Sequence, residues 1–278
     1  MIVMVDGEEA FFLDTSTQIT KKWEDEKISS YLNKELSQKP CYCSVYVKNE
    51  YKLNILNDAI LVHNIIVDSG TLDEAESRLD NLMKQIGRRP DELPYKIFRR
   101  FFKEYRRKPP FLKKLEKLIE SEWLSFFLGS IRKSLFNLVK CNSAQDEPYK
   151  KENHYIGITS RCSSDCNIDD FLKSQQSDLN VLSNIDNTKL DRINDLKGTL
   201  QKIKSASIAF LAGTSPNGKL CKEMSDAVIA IEAKASYPQI ILHSMDSDFK
   251  LLGKVLNIPT CVHSKHEILS AQQPGGGD

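Results

Sequence analysis

Four short stretches of this sequence place acidic side chains where they could share a divalent cation. Towards the C-terminus, QIILHSMDSDF carries Asp246 and Asp248 just beyond a β-branched run, and SDAVIAIEA opens on Asp226. Towards the N-terminus, AFFLDTST carries Asp14 after an apolar run, and CYCSVYVKNEYKLNIL carries Glu50 among apolar neighbours. Carboxylate oxygens are hard donors of the kind that Mg2+ and Mn2+ prefer. Each acid also has a plainer reading, because a carboxylate at a strand end is commonly a solvated turn or the N-cap of the next helix. Repetition of the pattern at separate strand ends is what favours a site. Asp6 competes with Asp14, but Gly7, Glu8 and Glu9 follow it at once, the pattern of a turn.

These acids need elements to hold them. Residues 10–17 predict a short strand that stops at Asp14, with Thr15 and Ser16 free to bond the acid or a neighbouring backbone group. Residues 21–37 predict a helix on the spacing of Trp23, Ile28, Tyr31, Leu32 and Leu36. Residues 45–56 could be strand or helix, and favour a helix that carries Glu50 inward, where a carboxylate needs a partner and a cation would be one. Ser225 predicts the cap of an Ala-rich helix opening on Asp226, Pro238 ends it, and residues 239–242 predict a strand buried on both faces. If strand geometry continues to Asp248, Asp246 and Asp248 leave the same face where a parallel sheet hands over to a loop. His243 then points away from Ser244 and reads as structural. Beyond Thr260 a small helix closes the chain, and the tail QQPGGGD is expected to be disordered.

Taken in order, a strand ending LDTS, an internal Glu thirty-six residues on, a helix opening SDAVIAIEA and a strand followed by SMDSDFKLL resemble the motifs of the PIN-domain nucleases. The resemblance implies an α/β fold of three layers with a mainly parallel central sheet. It puts the catalytic, metal-binding acids on Asp14, Glu50, Asp226 and Asp246, with Asp248 as an accessory ligand and Ser244 in the hydroxyl position before the last acid. It implies a metal-dependent endoribonuclease that uses Mg2+ or Mn2+ on single-stranded or structured RNA. A DNA nuclease of the same fold, acting on flaps or single strands, is an alternative, and so is an inactive scaffold that binds RNA or protein. The resemblance covers residues 1–68 and 205–260. PIN domains are usually compact, so residues 1–69 and 205–278 are expected to form the core and residues 70–204 a mostly helical insertion.

Within that insertion, Thr71 and Glu74 predict a capping box and Gly87 a helix stop. A basic run follows from Arg88 and Arg89 to Lys117, and Arg99, Arg100, Lys103, Arg106 and Arg107 are its candidate phosphate contacts. Tyr95, Phe98, Phe101, Phe102 and Tyr105 lie among them. Exposed, these rings could stack on unpaired bases; at their spacing of three and four residues they could equally form a core-facing stripe. An acidic protein would explain the charges as well as RNA does. Residues 111–140 predict a long amphipathic helix giving the insertion its own small core. Cys141, His154, Cys162 and Cys166 allow a zinc site to be drawn as C-x12-H-x7-C-x3-C, but only one spacing is tight, and plain thiols in a loop are the simpler reading. Residues 186–204 predict a helix and residues 207–212, SIAFLA, a buried strand. The GTSPNG turn lacks the Gly-Lys-Ser/Thr ending of a phosphate loop.

Composition excludes some classes of function. With 278 residues and a formal charge of +1, the chain can bury a sizeable core and is not basic overall, so any nucleic-acid surface must be local. Seven cysteines without framework spacing fit a reduced, cytoplasmic setting. Acidic residues stand where a signal peptide would carry Lys or Arg, and no run approaches the about 18 apolar residues of a membrane span. The expected partners are nucleic acid, RNA before DNA, and an inhibitor or partner protein, with no membrane. The oligomeric state is left open.

Overall fold

The computed structural model describes residues 8–87, 92–131, 135–141, 146–159, 166–185, 197–214 and 218–271. Two apolar runs from opposite ends of the sequence meet at its centre. Strand β1 (Ala10–Leu13) pairs in parallel with β5 (Ile240–Ser244), Phe12 opposite Leu242 and Leu13 opposite His243. The short β2 (Cys41–Tyr42) flanks β1, and β6 (Thr260–Val262) flanks β5, giving a four-stranded parallel sheet in the order β2-β1-β5-β6. An antiparallel hairpin, β3 (Tyr149–Lys151) with β4 (His154–Ile156), stands apart from it. The protein is therefore α/β with a parallel sheet, as the sequence predicts.

Side-chain alternation gives the sheet two apolar faces. Ala10, Phe12, Tyr42, Ile240 and Leu242 enter the main core. Phe11, Leu13 and Cys41, with Ile241 and Cys261 against them, enter a smaller cluster closed by Leu36. A strand buried on both sides must be apolar at consecutive positions, which is why AFFL and IIL carry no polar alternation.

Helices α1 (Thr15–Trp23) and α2 (Glu26–Leu36) follow β1. They replace the single helix expected over residues 21–37, because the Asp25 side chain accepts from Ile28 N at 3.1 Å and starts a new helix. Helix α3 (Val45–Val67) starts at Ser44 and carries Glu50 in its second turn, in keeping with the helical reading. Helix α4 (Leu72–Gln85) has the expected start and stop: Thr71 Oγ1 accepts from Glu74 N at 3.1 Å, and Gly87 sits at a φ of 69°. Glu74 reaches back to Gly70 N at 2.7 Å, one residue before the cap.

Helices α5 (Leu93–Glu104) and α6 (Lys108–Lys117) pass through a π-helical turn, Leu118–Glu122, into α7 (Trp123–Leu128). The long helix expected over residues 111–140 thus ends at Leu128. Phe136 forms a bridge to Ser44 instead, its N–H donating to Cys43 O at 2.9 Å and its ring stacking on Phe12. Burial against the sheet outweighs helix continuation there. Buried side chains of the 70–204 segment, among them Leu79, Phe98, Phe111 and Leu179, join the same continuous core as Phe12, Val47 and Leu242, so among the described residues the segment shows no separate core of its own.

The remaining helices among the described residues are α8 (Ile168–Ser174), α9 (Gln176–Ser183), α10 (Lys197–Leu211), α11 (Gly218–Glu223), α12 (Ser225–Ser236), α13 (Asp248–Leu256) and α14 (Lys265–Ala271). Residues 207–211 belong to α10 and not to a strand. Leu200, Ile203, Ala206 and Phe210 are buried at helical spacing while Ile208 is exposed, a period that the window SIAFLA is too short to display. Gly253 lets α13 lie against β6: a Cβ there would stand 2.9 Å from Ile258 O. Among the described residues no helix is long and apolar enough to cross a membrane. Asp6, Arg88, Arg89, Cys162 and the C-terminal tail lie outside the described residues.

Candidate functional site

In the strand order β2-β1-β5-β6, successive connections leave β1 towards one edge and β5 towards the other. The crevice beyond the carboxyl ends of β1 and β5 is therefore where the chain direction switches, and in open parallel sheets ligands bind at that point. Asp14 follows β1 directly. Its buried carboxylate caps α1, accepting from Thr17 N at 2.8 Å, from Ser16 Oγ at 2.7 Å and from Ser244 Oγ at 2.7 Å. Both readings of this acid, helix cap and site residue, are compatible with that geometry.

The Ser16 and Ser244 hydroxyls also reach the loop that carries Asp246. Ser16 Oγ accepts from Met245 N at 2.9 Å, and Ser244 Oγ accepts from Asp246 N at 2.9 Å. Asp14 and Asp246, far apart in sequence, are thereby joined through one side chain. Strand geometry does not persist to Asp248, contrary to expectation. The strand ends at Ser244, Asp246 is an exposed loop residue, and Asp248 is the first residue of α13, donating its N–H to Asp246 Oδ1 at 3.0 Å.

Glu50 enters from α3 and accepts from Thr15 Oγ1 at 2.5 Å. Asp226 enters from the first turn of α12, for which Met224 and not Ser225 is the capping residue. Burial first, and then the charges of Glu50, Asp246, Asp14 and Asp248, push the Asp226 carboxyl up to about 7. Burial also raises Asp14 and Glu50, the latter with a contribution from the charge of Asp14, and raises Asp248 with one from Asp246. Asp226 is thus the electrostatic neighbour of the other four. None of the five forms an ion pair with a Lys, Arg or His among the described residues.

An all-oxygen, net negative donor set of this kind suits Mg2+ or Mn2+. The oxygens are not drawn into one closed shell: no three of the five carboxylates have oxygens within 4.8 Å of one another. Mg2+ keeps several waters and takes one or two carboxylates directly, so it does not demand a tighter set.

The basic candidates lie on α5 and the turn after it. Arg99, Lys103, Arg106 and Arg107 are exposed, whereas Arg100 is half-buried and donates to Lys22 O at 2.7 Å. The base-stacking option for the rings fails for Tyr95, Phe98 and Phe101, which are buried, and Phe102 is covered by the Arg106 guanidinium 4.4 Å from its centroid. The spacing of three and four was that of a core stripe. Of the drawn zinc set, Cys141, His154 and Cys166 do not come together at ligand spacing, and His154 Nε2 instead meets Asp68 Oδ1 at 2.8 Å.

Sequence reasoning passed over two features. One is a buried carboxylate in α12, Glu232, pushed up to about 7 by burial, with Val139 N donating to it at 3.1 Å. The other gathers Glu35, His243, Cys261 and His263 on the opposite face of the sheet. Its sequence signal was the C-x-H of Cys261 and His263, which mattered only once β6 was known to be a strand.

Comparisons of the chain with models of known protein families, with curated proteins and with solved structures found no match.

Proposed function

We propose that the protein is a metal-dependent nuclease of the PIN-like type, hydrolysing phosphodiester bonds in RNA at the carboxylate cluster beyond β1 and β5. The observation that carries this reading is the placement of Asp226 among four other carboxylates from three further parts of the chain, whose charges, after burial, push its carboxyl up, with no counter-cation ion-paired to any of the five among the described residues. A fold gains nothing in stability by collecting like charges in a half-buried site, and such arrangements mark function. Asp14, Glu50, Asp226 and Asp246 would hold one or two Mg2+ or Mn2+ ions, with Asp248 beside them. When bound, such a cation supplies neutralisation of the charge that develops on phosphorus oxygens during hydrolysis. Thr15, Ser16 and Ser244 hold the acids in place by hydroxyl hydrogen bonds. Exposed Asp246 leaves the cluster open to a polymer from the loop side.

Purified protein given labelled single-stranded RNA is expected to cleave it in Mg2+ or Mn2+ and not in chelator. Cleavage that survives Asp246→Asn rejects the site. Cleavage of single-stranded or flapped DNA alone moves the assignment to the DNA nuclease, and binding without cleavage moves it to the scaffold.

The exposed cations of α5 and the turn after it support the RNA reading by their position on one short segment. Replacing Arg99, Lys103, Arg106 and Arg107 with Gln is expected to weaken RNA binding and to flatten its salt dependence by about 0.7 in logarithmic slope for each phosphate that is no longer neutralised. Titrations at several salt concentrations measure this. An unchanged slope would remove these residues from the interface. Arg100 is left out because its bond to Lys22 O ties α5 to α1.

A further inference from the structure

We propose a second metal site, for zinc, formed by Glu35, His243, Cys261 and His263 on the face of the sheet away from the carboxylate cluster. Backbone register builds it. His243 of β5 pairs with Cys261 of β6, so the two side chains leave the same face side by side, and His263 follows two residues later on that face. Glu35, in the last turn of α2, closes the set from above. The four donor atoms lie within 4.8 Å of one another. His243 Nε2 is 3.1 Å from Glu35 Oε2, His263 Nε2 is 2.9 Å from Glu35 Oε1, and Cys261 Sγ is 3.3 Å from His263 Nε2 and 3.5 Å from Glu35 Oε1.

Tetrahedral zinc with about 2.0–2.3 Å bonds to N, O and S sets its donors about 3.3–3.6 Å apart. The four contacts above, which use both oxygens of Glu35, need to open by at most a few tenths of an ångström, and the other donor pairs, all within 4.8 Å, have to settle to the same spacing. The donor types agree as well: two imidazoles, a thiolate and a carboxylate are a zinc set, too soft for Mg2+. On binding, the Cys261 thiol and the His263 Nε2 that faces Glu35 both release their protons to solvent, and one thiolate and one carboxylate then balance the dication.

One donor has a partner ready for the tautomer that an ion requires. An ion takes the Nε2 lone pair of His243, leaving Nδ1–H to donate to Thr17 Oγ1 at 3.1 Å, while Thr17 Oγ1–H donates to His243 O at 3.0 Å. A ligand imidazole fixed through its other nitrogen is the usual support for a metal site. Phe11 packs edge-on against His243, and Tyr31 against His263. His243 is fully buried, whereas the side chains of Glu35 and His263 keep about a fifth of their surface, which leaves an entry path. Four protein donors fill the shell, so the ion's role is structural. It fastens the three-residue edge strand β6 and the end of α2 to β5.

Full-length protein stripped with chelator is expected to take up one Zn2+ per chain with a rise in melting temperature, and to give a thiolate-to-metal absorption band with Co2+. Cys261→Ser abolishes the band, and Cys261→Ser or His263→Gln weakens Zn2+ binding by at least about 100-fold, whereas Thr17→Val, which frees the His243 ring without removing a donor, weakens it about 10–100-fold. Asp246→Asn keeps the zinc, which separates this site from the carboxylate cluster. Failure of the wild-type protein to bind zinc, absence of the cobalt band, or unchanged affinity in His263→Gln overturns the proposal and leaves a hydrogen-bonded His–Glu–His cluster. The wild-type band decides the matter even if Cys261→Ser does not fold.

Discussion

Asp14→Asn is expected to lower Mg2+-dependent RNA cleavage by at least about 100-fold while leaving α1 folded. The two consequences separate because the observed cap and the proposed cation ligand have different chemical requirements. As an N-cap it needs an oxygen to accept from Thr17 N, and Asn caps about as well as Asp. As a proposed cation ligand it needs charge, which Asn lacks. Ser16 and Ser244, both donating to Oδ2, can rotate to suit an amide, so the link to the Asp246 loop is retained. Asp14→Ala removes the cap too and is expected to cost about 1 kcal/mol of stability besides. Single-turnover cleavage measured beside thermal unfolding distinguishes the pair. If Asp14→Asn cleaves at the wild-type rate, Asp14 is a helix cap alone.

How much of this was legible in sequence depended on the range of the interactions concerned. The apolar runs AFFL and IIL declared buried strands, and Thr71 with Glu74 declared a helix start, because each signal is complete within a few residues. The acids at the strand ends were visible for the same reason. Their hydroxyl supports were less so: Ser16 and Thr15 adjoin Asp14 in sequence, but that one holds Asp14 and the other Glu50 follows from how α3 docks. Phe136 lay in a helical pattern and went to the sheet, since pairing with Cys43 and stacking on Phe12 are tertiary gains that no local window contains. β6 was missed because three residues, TCV, carry no period. Missing it hid the register that sets His243 beside Cys261. Of the two roles weighed for the rings of α5, burial of Phe98 and Phe101 selected the one that local spacing alone had left undecided.

The carboxylate cluster should also be visible in unfolding experiments without any substrate. Asp226 ionises near about 3.9 in an unfolded chain but is pushed up to about 7 in the folded one, by burial first and by the neighbouring carboxylates second. Between those pH values the folded protein holds a proton that the unfolded chain has lost. Stability from this group is therefore fully present below about pH 3.9 and falls as pH rises through 7. The shift corresponds to a ceiling of about 4 kcal/mol, and solvent at this half-buried position reduces it to about 1–3 kcal/mol. Asp226→Asn removes the titration, so denaturant unfolding should find the variant more stable than wild type above pH 7, with the advantage vanishing near pH 4. Glu232, raised to about 7 by burial, titrates in the same direction in both proteins and leaves their difference untouched. Glu35, which moves the opposite way, likewise cancels. A divalent cation relieves the same repulsion: Mg2+ at 100 times its dissociation constant should stabilise wild-type protein at pH 8 by about 2.7 kcal/mol, and by much less in Asp14→Asn. If wild type and Asp226→Asn keep a constant stability difference from pH 4 to 8, the carboxylates do not share one field. The cation site then loses its electrostatic basis, because five acids that ignore each other's charge have no surplus for a metal to neutralise.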